Sequence, residues 1–238
     1  MKTQELDARS LGTAAEAFCF QRVVLLELPK TLFHSLQASA LPISVMTNPL
    51  LNIQPLALSG LIFIEARNYE DHRGVFTELW REEAYRVSGL PTHFVQDNLS
   101  VSRSRGTLRG IHFQKGDAAQ GKLVRPLRGA IRDVAVDLRP QSPTRFQWVA
   151  VDLSAEKAQA IFIPRGFGHA FLTLEDDTFV YYKADAPYAP GQEGSIRWND
   201  PTLQIEWGSE RFAQTPILSE KDAQAPLLGD WLKSGALG

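Results

Sequence analysis

The sequence predicts an all-β domain, and three observations carry that prediction. Short runs rich in Val, Ile, Phe, Tyr and Thr recur from residue 61 onward. Gly, Pro and Asp turn signals separate them about every 8–12 residues, the spacing of a sandwich or barrel. Within the runs the period is two: Val134, Val136 and Leu138 alternate with Ala135 and Asp137, as in a strand buried on one face.

Composition bounds the rest. The chain has 238 residues, 44% of them hydrophobic, enough for one well-buried domain. The net charge of −2 offers no bulk field to recruit nucleic acid or a membrane surface. The single cysteine, Cys19, cannot form an intramolecular disulfide and fits a reducing compartment. No apolar run reaches the ~18 residues of a membrane-spanning helix. Charge, apolar run and small-residue cleavage site do not occur in the order of a signal peptide. The expectation is a cytoplasmic protein.

In order along the chain, residues 1–45 lack the alternation, and Met46-Thr47-Asn48-Pro49 reads as a natural start. They are expected to be an N-terminal extension or a mis-set start, with an arm packing on a partner subunit as the alternative. A single domain is expected over 46–238. Strands are predicted at 61–66 and 75–80, joined through the turn signature Asp71-His72-Arg73-Gly74. One or two helical turns fit 81–87. The strand at 94–101 puts Gln96, Asn98 and Ser100 on one face. Further strands are predicted at 107–113, 121–127, 130–138, 146–153, 159–163, 169–174 and 178–183. The tail, 209–238, reads as loop plus a short helix around Ser219-Glu220-Lys221-Asp222.

The chemistry gathers around Gly106-Thr107-Leu108-Arg109-Gly110-Ile111-His112 and Gly121-Lys122-Leu123-Val124. Two neighbouring strands are expected to deliver Arg109, His112 and Lys122 to one concave face. An unperturbed imidazole titrates near ~6.5 and accepts protons at neutral pH. The two cations suit an anionic substrate. Taken singly, His112 also reads as a satisfied core histidine and Lys122 as a solvated strand-edge lysine.

Gly106 and His112, followed by Pro164-Arg165-Gly166-Phe167-Gly168-His169, suggest a jelly-roll double-stranded β-helix of the cupin type. Metal-binding cupins continue the first fragment as His-x-His. Here Gln114 stands at the second position, leaving only His112 and His169 where a metal wants three or four ligands. No metal is expected.

Six ordered motifs are more specific. They are Asp71-His72-Arg73-Gly74-Val75-Phe76-Thr77-Glu78, Gln96-Asp97-Asn98-Leu99-Ser100, Leu108-Arg109-Gly110-Ile111-His112, Gly121-Lys122-Leu123-Val124, Pro164-Arg165-Gly166-Phe167-Gly168-His169 and Leu218-Ser219-Glu220-Lys221-Asp222. Together they resemble the dTDP-4-dehydrorhamnose 3,5-epimerase family, over about residues 47–230. The resemblance implies a cupin-like jelly roll with short peripheral helices. It implies a cofactor-free isomerase of L-rhamnose biosynthesis that inverts C3 and C5 of dTDP-4-dehydro-6-deoxy-D-glucose. A single-position epimerase or ketoisomerase on a related sugar is the alternative within the class. A metal cupin and a catalytically silent sugar-nucleotide binder are alternatives outside it.

The resemblance also implies roles. His112 is the base, Asp222 its partner, Lys122 the cation near the sugar O4, and Tyr182 the general acid. Tyr182 is preferred to Tyr181 because six residues separate it from Tyr188, as in the family pattern. Asp200, in Asn199-Asp200-Pro201, is a rival partner for His112. Arg109 and Arg73 are diphosphate candidates, since guanidinium meets phosphate in bidentate geometry. Phe76 and Tyr188 are candidates to stack on thymine, and Gln96, Asn98, Glu78, Glu193 and His169 to make polar contacts. Family sites borrow Arg73, Phe76 and Glu78 from the neighbouring subunit, which implies a homodimer.

Overall fold

The computed structural model describes residues 50–208 and 215–237. Residues 1–45 lie outside them. The strands in chain order are β1 (Leu51–Pro55), β2 (Ile62–Ala66), β3 (Asn68–Asp71), β4 (Gly74–Thr77), β5 (Gln96–Ser102), β6 (Leu108–Gln114) and β7 (Lys122–Arg128). They continue as β8 (Ala130–Asp137), β9 (Trp148–Ser154), β10 (Gln159–Ile163), β11 (Phe167–Thr173), β12 (Thr178–Ala184) and β13 (Glu193–Ser195). Short helices are α1 (Glu82–Val87), α2 (Glu220–Ala223) and α3 (Leu228–Lys233).

Two antiparallel sheets make the cupin-like jelly roll. One has the order β1-β2-β10-β7-β12-β5, the other β13-β6-β11-β8-β9. Between them, Val124, Ile161, Ile163 and Val180 of the first sheet meet Ile131, Ala135, Val149, Phe167 and Phe171 of the second. Each such side chain contributes roughly 1.5–3 kcal/mol on burial. Outside the first sheet, Tyr85 of α1 and Leu90 cover Ile64, Leu123, Ala160 and Phe162. Outside the second, Leu203, Trp207 and Leu228 cover Val134, Val136 and Leu172.

That outer cover changes the expectation for β8. Its alternation reads as one buried face, yet its last five residues are all buried, because the side left for solvent, with Ala135, faces the other sheet while the C-terminal segment covers Val134 and Val136. Three strands and one helix escape the pattern altogether. β1, β3 and β13 are short, and α3 falls in what reads as tail. The strand expected at 75–80 stops at Thr77, where its hairpin partner β3 begins at Asn68.

The site depends on a bulge between β6 and β11. His169 pairs with His112, but Phe171 pairs with Arg109. The two strands therefore count differently, and β6 carries one extra residue. His169 and Phe171 share a face, so His112 and Arg109 do too, although they lie three apart in sequence. Gly110 makes the bulge feasible. Its φ is +115°, and an added Cβ would stand 2.6 Å from Ala170 Cβ and from the His169 carbonyl oxygen.

The fold corrects one detail of the expected site. β6 and β7 are not neighbours but belong to opposite sheets. Arg109 and His112 face Lys122 across the space between the sheets.

Candidate active site

On the β6 side, His112 Nε2 lies 2.6 Å from Asp222 Oδ1. Asp222 is buried in α2, where Ser219 caps the helix by accepting from the Asp222 backbone N–H at 3.1 Å. Burial pushes the Asp222 carboxyl up, but the hydrogen bond and charge of His112, the Ser219 hydroxyl and the Gly110 N–H outweigh it and hold the group below its ordinary value. The pair is therefore anionic on the aspartate side and fixes the imidazole through Nε2, leaving Nδ1 for the cavity. Asp200 plays a different part. It accepts from the backbone N–H groups of Thr202, Leu203 and Leu228 and so ties the turn at 200–203 to α3.

Opposite stand Lys122, at the start of β7, and Tyr182 on β12, with Lys122 Nζ 5.7 Å from the Tyr182 ring centroid. Lys122 is mostly buried. Loss of hydration brings its ammonium down to about 8, against the pull of Asp133 and Glu193. Burial raises the Tyr182 phenol and the Arg109 charge partly offsets this. Arg109 donates to Ser102 Oγ at 3.3 Å and to the Val101 carbonyl at 3.2 Å. Its guanidinium sits at the cavity edge.

The remaining polar candidates join this cluster. His169 Nε2 lies 2.8 Å from Asp133 Oδ2. Gln96 donates to Asn98 Oδ1 at 2.8 Å and accepts from the Tyr188 N–H at 2.8 Å. The Tyr188 hydroxyl donates to Glu193 at 3.2 Å, and Lys221 pairs with the same Glu193 oxygen at 2.6 Å. The Lys221 hydrogen bond leads in holding Glu193 below its ordinary value. Gln114 accepts from the Ala189 N–H at 2.7 Å and so anchors the segment bearing Tyr188. Asn98 Nδ2, Ser100 Oγ and Gln114 Nε2 are buried without a protein partner. Buried polar groups are nearly always paired, so these unpaired atoms are open to a polar ligand.

Arg73, Phe76 and Glu78 stand apart. The β3–β4 hairpin pairs within its own two-stranded sheet. Arg73 is bound to Asp71 with its side chain 78% exposed, Phe76 is 69% exposed, and Glu78 pairs with Arg81 at 3.1 Å. Sequence reasoning missed Asp133 and Lys221. Lys221 was adjacent to a chosen residue. Asp133 shares the phase of Ala135 and Asp137, which the alternation leaves for solvent, so no sequence signal marked it. Among the described residues, no three His, Cys, Asp or Glu side chains gather as metal ligands.

Comparisons with known proteins bear on the family. The sequence model of the family described as dTDP-4-dehydrorhamnose 3,5-epimerase matches residues 55–230. The dTDP-4-dehydrorhamnose 3,5-epimerase of Salmonella typhimurium is 47% identical over 173 residues, covering 72% of this chain and 92% of that protein. That of Methanothermobacter thermautotrophicus is 48% identical over 166 residues, covering 70% and 88%. Among solved structures, the Bacillus anthracis enzyme with TDP and PPi bound superposes with a TM-score of 0.71 at 41% identity, covering 75% of this chain and 99% of that one. The Legionella pneumophila enzyme in complex with dTDP-4-keto-L-rhamnose gives 0.70 at 42%, covering 75% and 93%. ChmJ, a 3'-monoepimerase from Streptomyces bikiniensis, gives 0.71 at 38%, covering 76% and 90%. With the motifs, the fold and these matches in agreement, the chain belongs to the dTDP-4-dehydrorhamnose 3,5-epimerase family, a family of isomerases.

Proposed function

We propose that the protein inverts C3 and C5 of dTDP-4-dehydro-6-deoxy-D-glucose to give dTDP-4-dehydro-L-rhamnose. The observation that carries the reading is the placing of the His112–Asp222 pair and the Lys122–Tyr182 pair on opposite sheets of the jelly roll. Inversion next to a ketone needs such opposition. The C4 carbonyl acidifies the protons on C3 and C5, because the carbanion delocalises onto O4. His112 Nδ1 takes the proton, and Asp222 stabilises the imidazolium that forms. The Lys122 ammonium holds the enolate oxygen in a water-poor cleft, where its charge counts for more than in bulk water. The Tyr182 hydroxyl returns a proton from the other face, and exchange with solvent resets both groups after each inversion, between the C3 and C5 steps as well as between turnovers.

Arg109 at the cavity edge suits the diphosphate. Tyr188, Gln96, Asn98, His169 and Glu193 line the path toward the base and sugar. Arg73, Phe76 and Glu78 belong to the active site of a second copy in a homodimer. The exposure of Phe76 on a free hairpin supports this, as do Leu99, Val101 and Leu127 exposed on the outer face of the six-stranded sheet. The protein works in the cytoplasm, and residues 1–45 are dispensable for activity. None of the described helices is long and apolar enough to cross a membrane.

The likeness to a 3'-monoepimerase favours inversion at one carbon as the second reading. One incubation decides between them. With dTDP-4-dehydro-6-deoxyglucose in deuterated water, deuterium at both C3 and C5 of the L-sugar product is expected. Deuterium at C3 alone, with the D configuration kept at C5, would replace double by single epimerisation.

A further inference from the structure

Asp133 has no part in the scheme so far, yet its position is unusual. It lies on β8 between Ile131 and Ala135, both in the core between the sheets, and its side chain is fully buried. One oxygen accepts from His169 at 2.8 Å. The other is buried with no hydrogen-bond partner. A carboxylate in such a place costs several kcal/mol unless compensating charge is close. The groups on the strands around it are His169 on β11, Lys122 on β7, Tyr182 on β12, Glu193 on β13, and His112 and Arg109 on β6. Of the anions that support the Lys122 charge, Asp133 comes first, ahead of Glu193. Glu193 has counter-charge of its own in Lys221, whereas Asp133 is paired with no lysine or arginine among the described contacts.

We propose that Asp133 is a positioning residue, which never meets the substrate but holds the Lys122 ammonium and the His169 ring in place from the core side of the cavity. The inference rests on the reading of Lys122 as the cation that receives the enolate oxygen. In a cavity emptied of water by substrate, a lysine with no anion behind it sheds its proton and loses that power. A carboxylate facing the substrate would repel the developing enolate. Asp133 avoids this by being fully buried and by giving one oxygen to His169.

The test reads Lys122 directly. In the substrate-free protein, the side-chain ¹³Cε and ¹⁵Nζ resonances of Lys122 are followed against pH. In Asp133→Asn, which keeps size and a hydrogen-bonding group, the midpoint is expected to fall by about one pH unit or more. Glu193→Gln should move it less. The high-pH limb of kcat/KM should move down with it, while the thermal midpoint of the folded protein changes little. An unchanged Lys122 midpoint in Asp133→Asn overturns the proposal, as does a larger shift in Glu193→Gln. If Asp133→Asn does not fold, the unmutated protein decides. Its Asp133 carboxyl carbon must stay in the ionised state throughout the Lys122 titration, and a carboxyl found neutral there overturns the proposal. A Lys122 midpoint that moves while the rate profile stays fixed keeps the Asp133–Lys122 coupling and rejects instead the enolate role of Lys122.

Discussion

His112 and His169 sit directly opposite each other on β6 and β11, and each gives its Nε2 to a different carboxylate, Asp222 at 2.6 Å and Asp133 at 2.8 Å. The two dyads differ in access. The His112 side chain is 33% exposed and the His169 side chain 8%. An imidazole that must reach a sugar carbon needs the open position, which favours His112 for the proton abstraction proposed above. His112→Ala should abolish solvent deuterium exchange and product formation together, by about 10²–10⁴-fold. His169→Asn, measured alongside, should retain exchange.

Tyr182→Phe should behave differently. It deletes only the phenolic proton, so His112 still forms the enolate and the proton returns to its original face. Recovered substrate is expected to gain deuterium faster than L-sugar appears. Parallel loss of exchange and inversion, read by mass and proton resonance, would remove Tyr182 from the role of opposite-face acid.

Lys122 sets an alkaline limit. Its ammonium is brought down to about 8 by burial, so the protonated, enolate-binding form disappears as pH rises through that value. The kcat/KM profile should therefore fall above pH about 8. In Lys122→Arg that limb should vanish from the residual activity, because guanidinium stays charged throughout the range.

Gly110→Ala tests the bulge. The added methyl meets the His169 carbonyl and Ala170 at a φ of +115°, where backbone has no room to yield. A loss of more than about 1 kcal/mol is expected in denaturant titration. Activity should fall further than stability alone accounts for, since Arg109 and His112 would no longer share a face.

The dimer can be tested by complementation. Arg73→Ala and His112→Ala chains should each be nearly inactive alone. In a mixed dimer, one of the two sites has an intact His112 and receives an intact Arg73 from the other chain. Random exchange makes half the dimers mixed, so about a quarter of full activity should return. No recovery, with dimers confirmed by sedimentation, would mean that Arg73 serves its own chain.

Much of this architecture was legible because strands announce themselves by period and turn residues. The phase of β5 put Gln96, Asn98 and Ser100 together, and they do share the cavity face. Register across sheets was not legible. A bulge at Gly110 decides whether Arg109 joins His112, and no alternation pattern reports an extra residue on one strand. Short elements failed for a related reason: β13 has three residues, too few for a period, yet it carries Glu193 into the site. Asp133 was hidden because the alternation of Val134 and Val136 puts it on the side read as solvent-facing, and that side faces the other sheet. It finds its partner there in His169, 36 residues away.

The pairing of His112 with Asp222 joins residues 110 positions apart in the chain. During synthesis the imidazole is complete, and its strand can fold, long before the carboxylate that steadies it exists. A chain interrupted between β12 and α2 would carry His112, Lys122 and Tyr182 but lack both the aspartate and the α3 segment that covers the outer face of the second sheet. The helix that brings the carboxylate to His112 thus arrives with the cover that completes the core, so the dyad and the outer packing of the second sheet are finished by the same late stretch of chain.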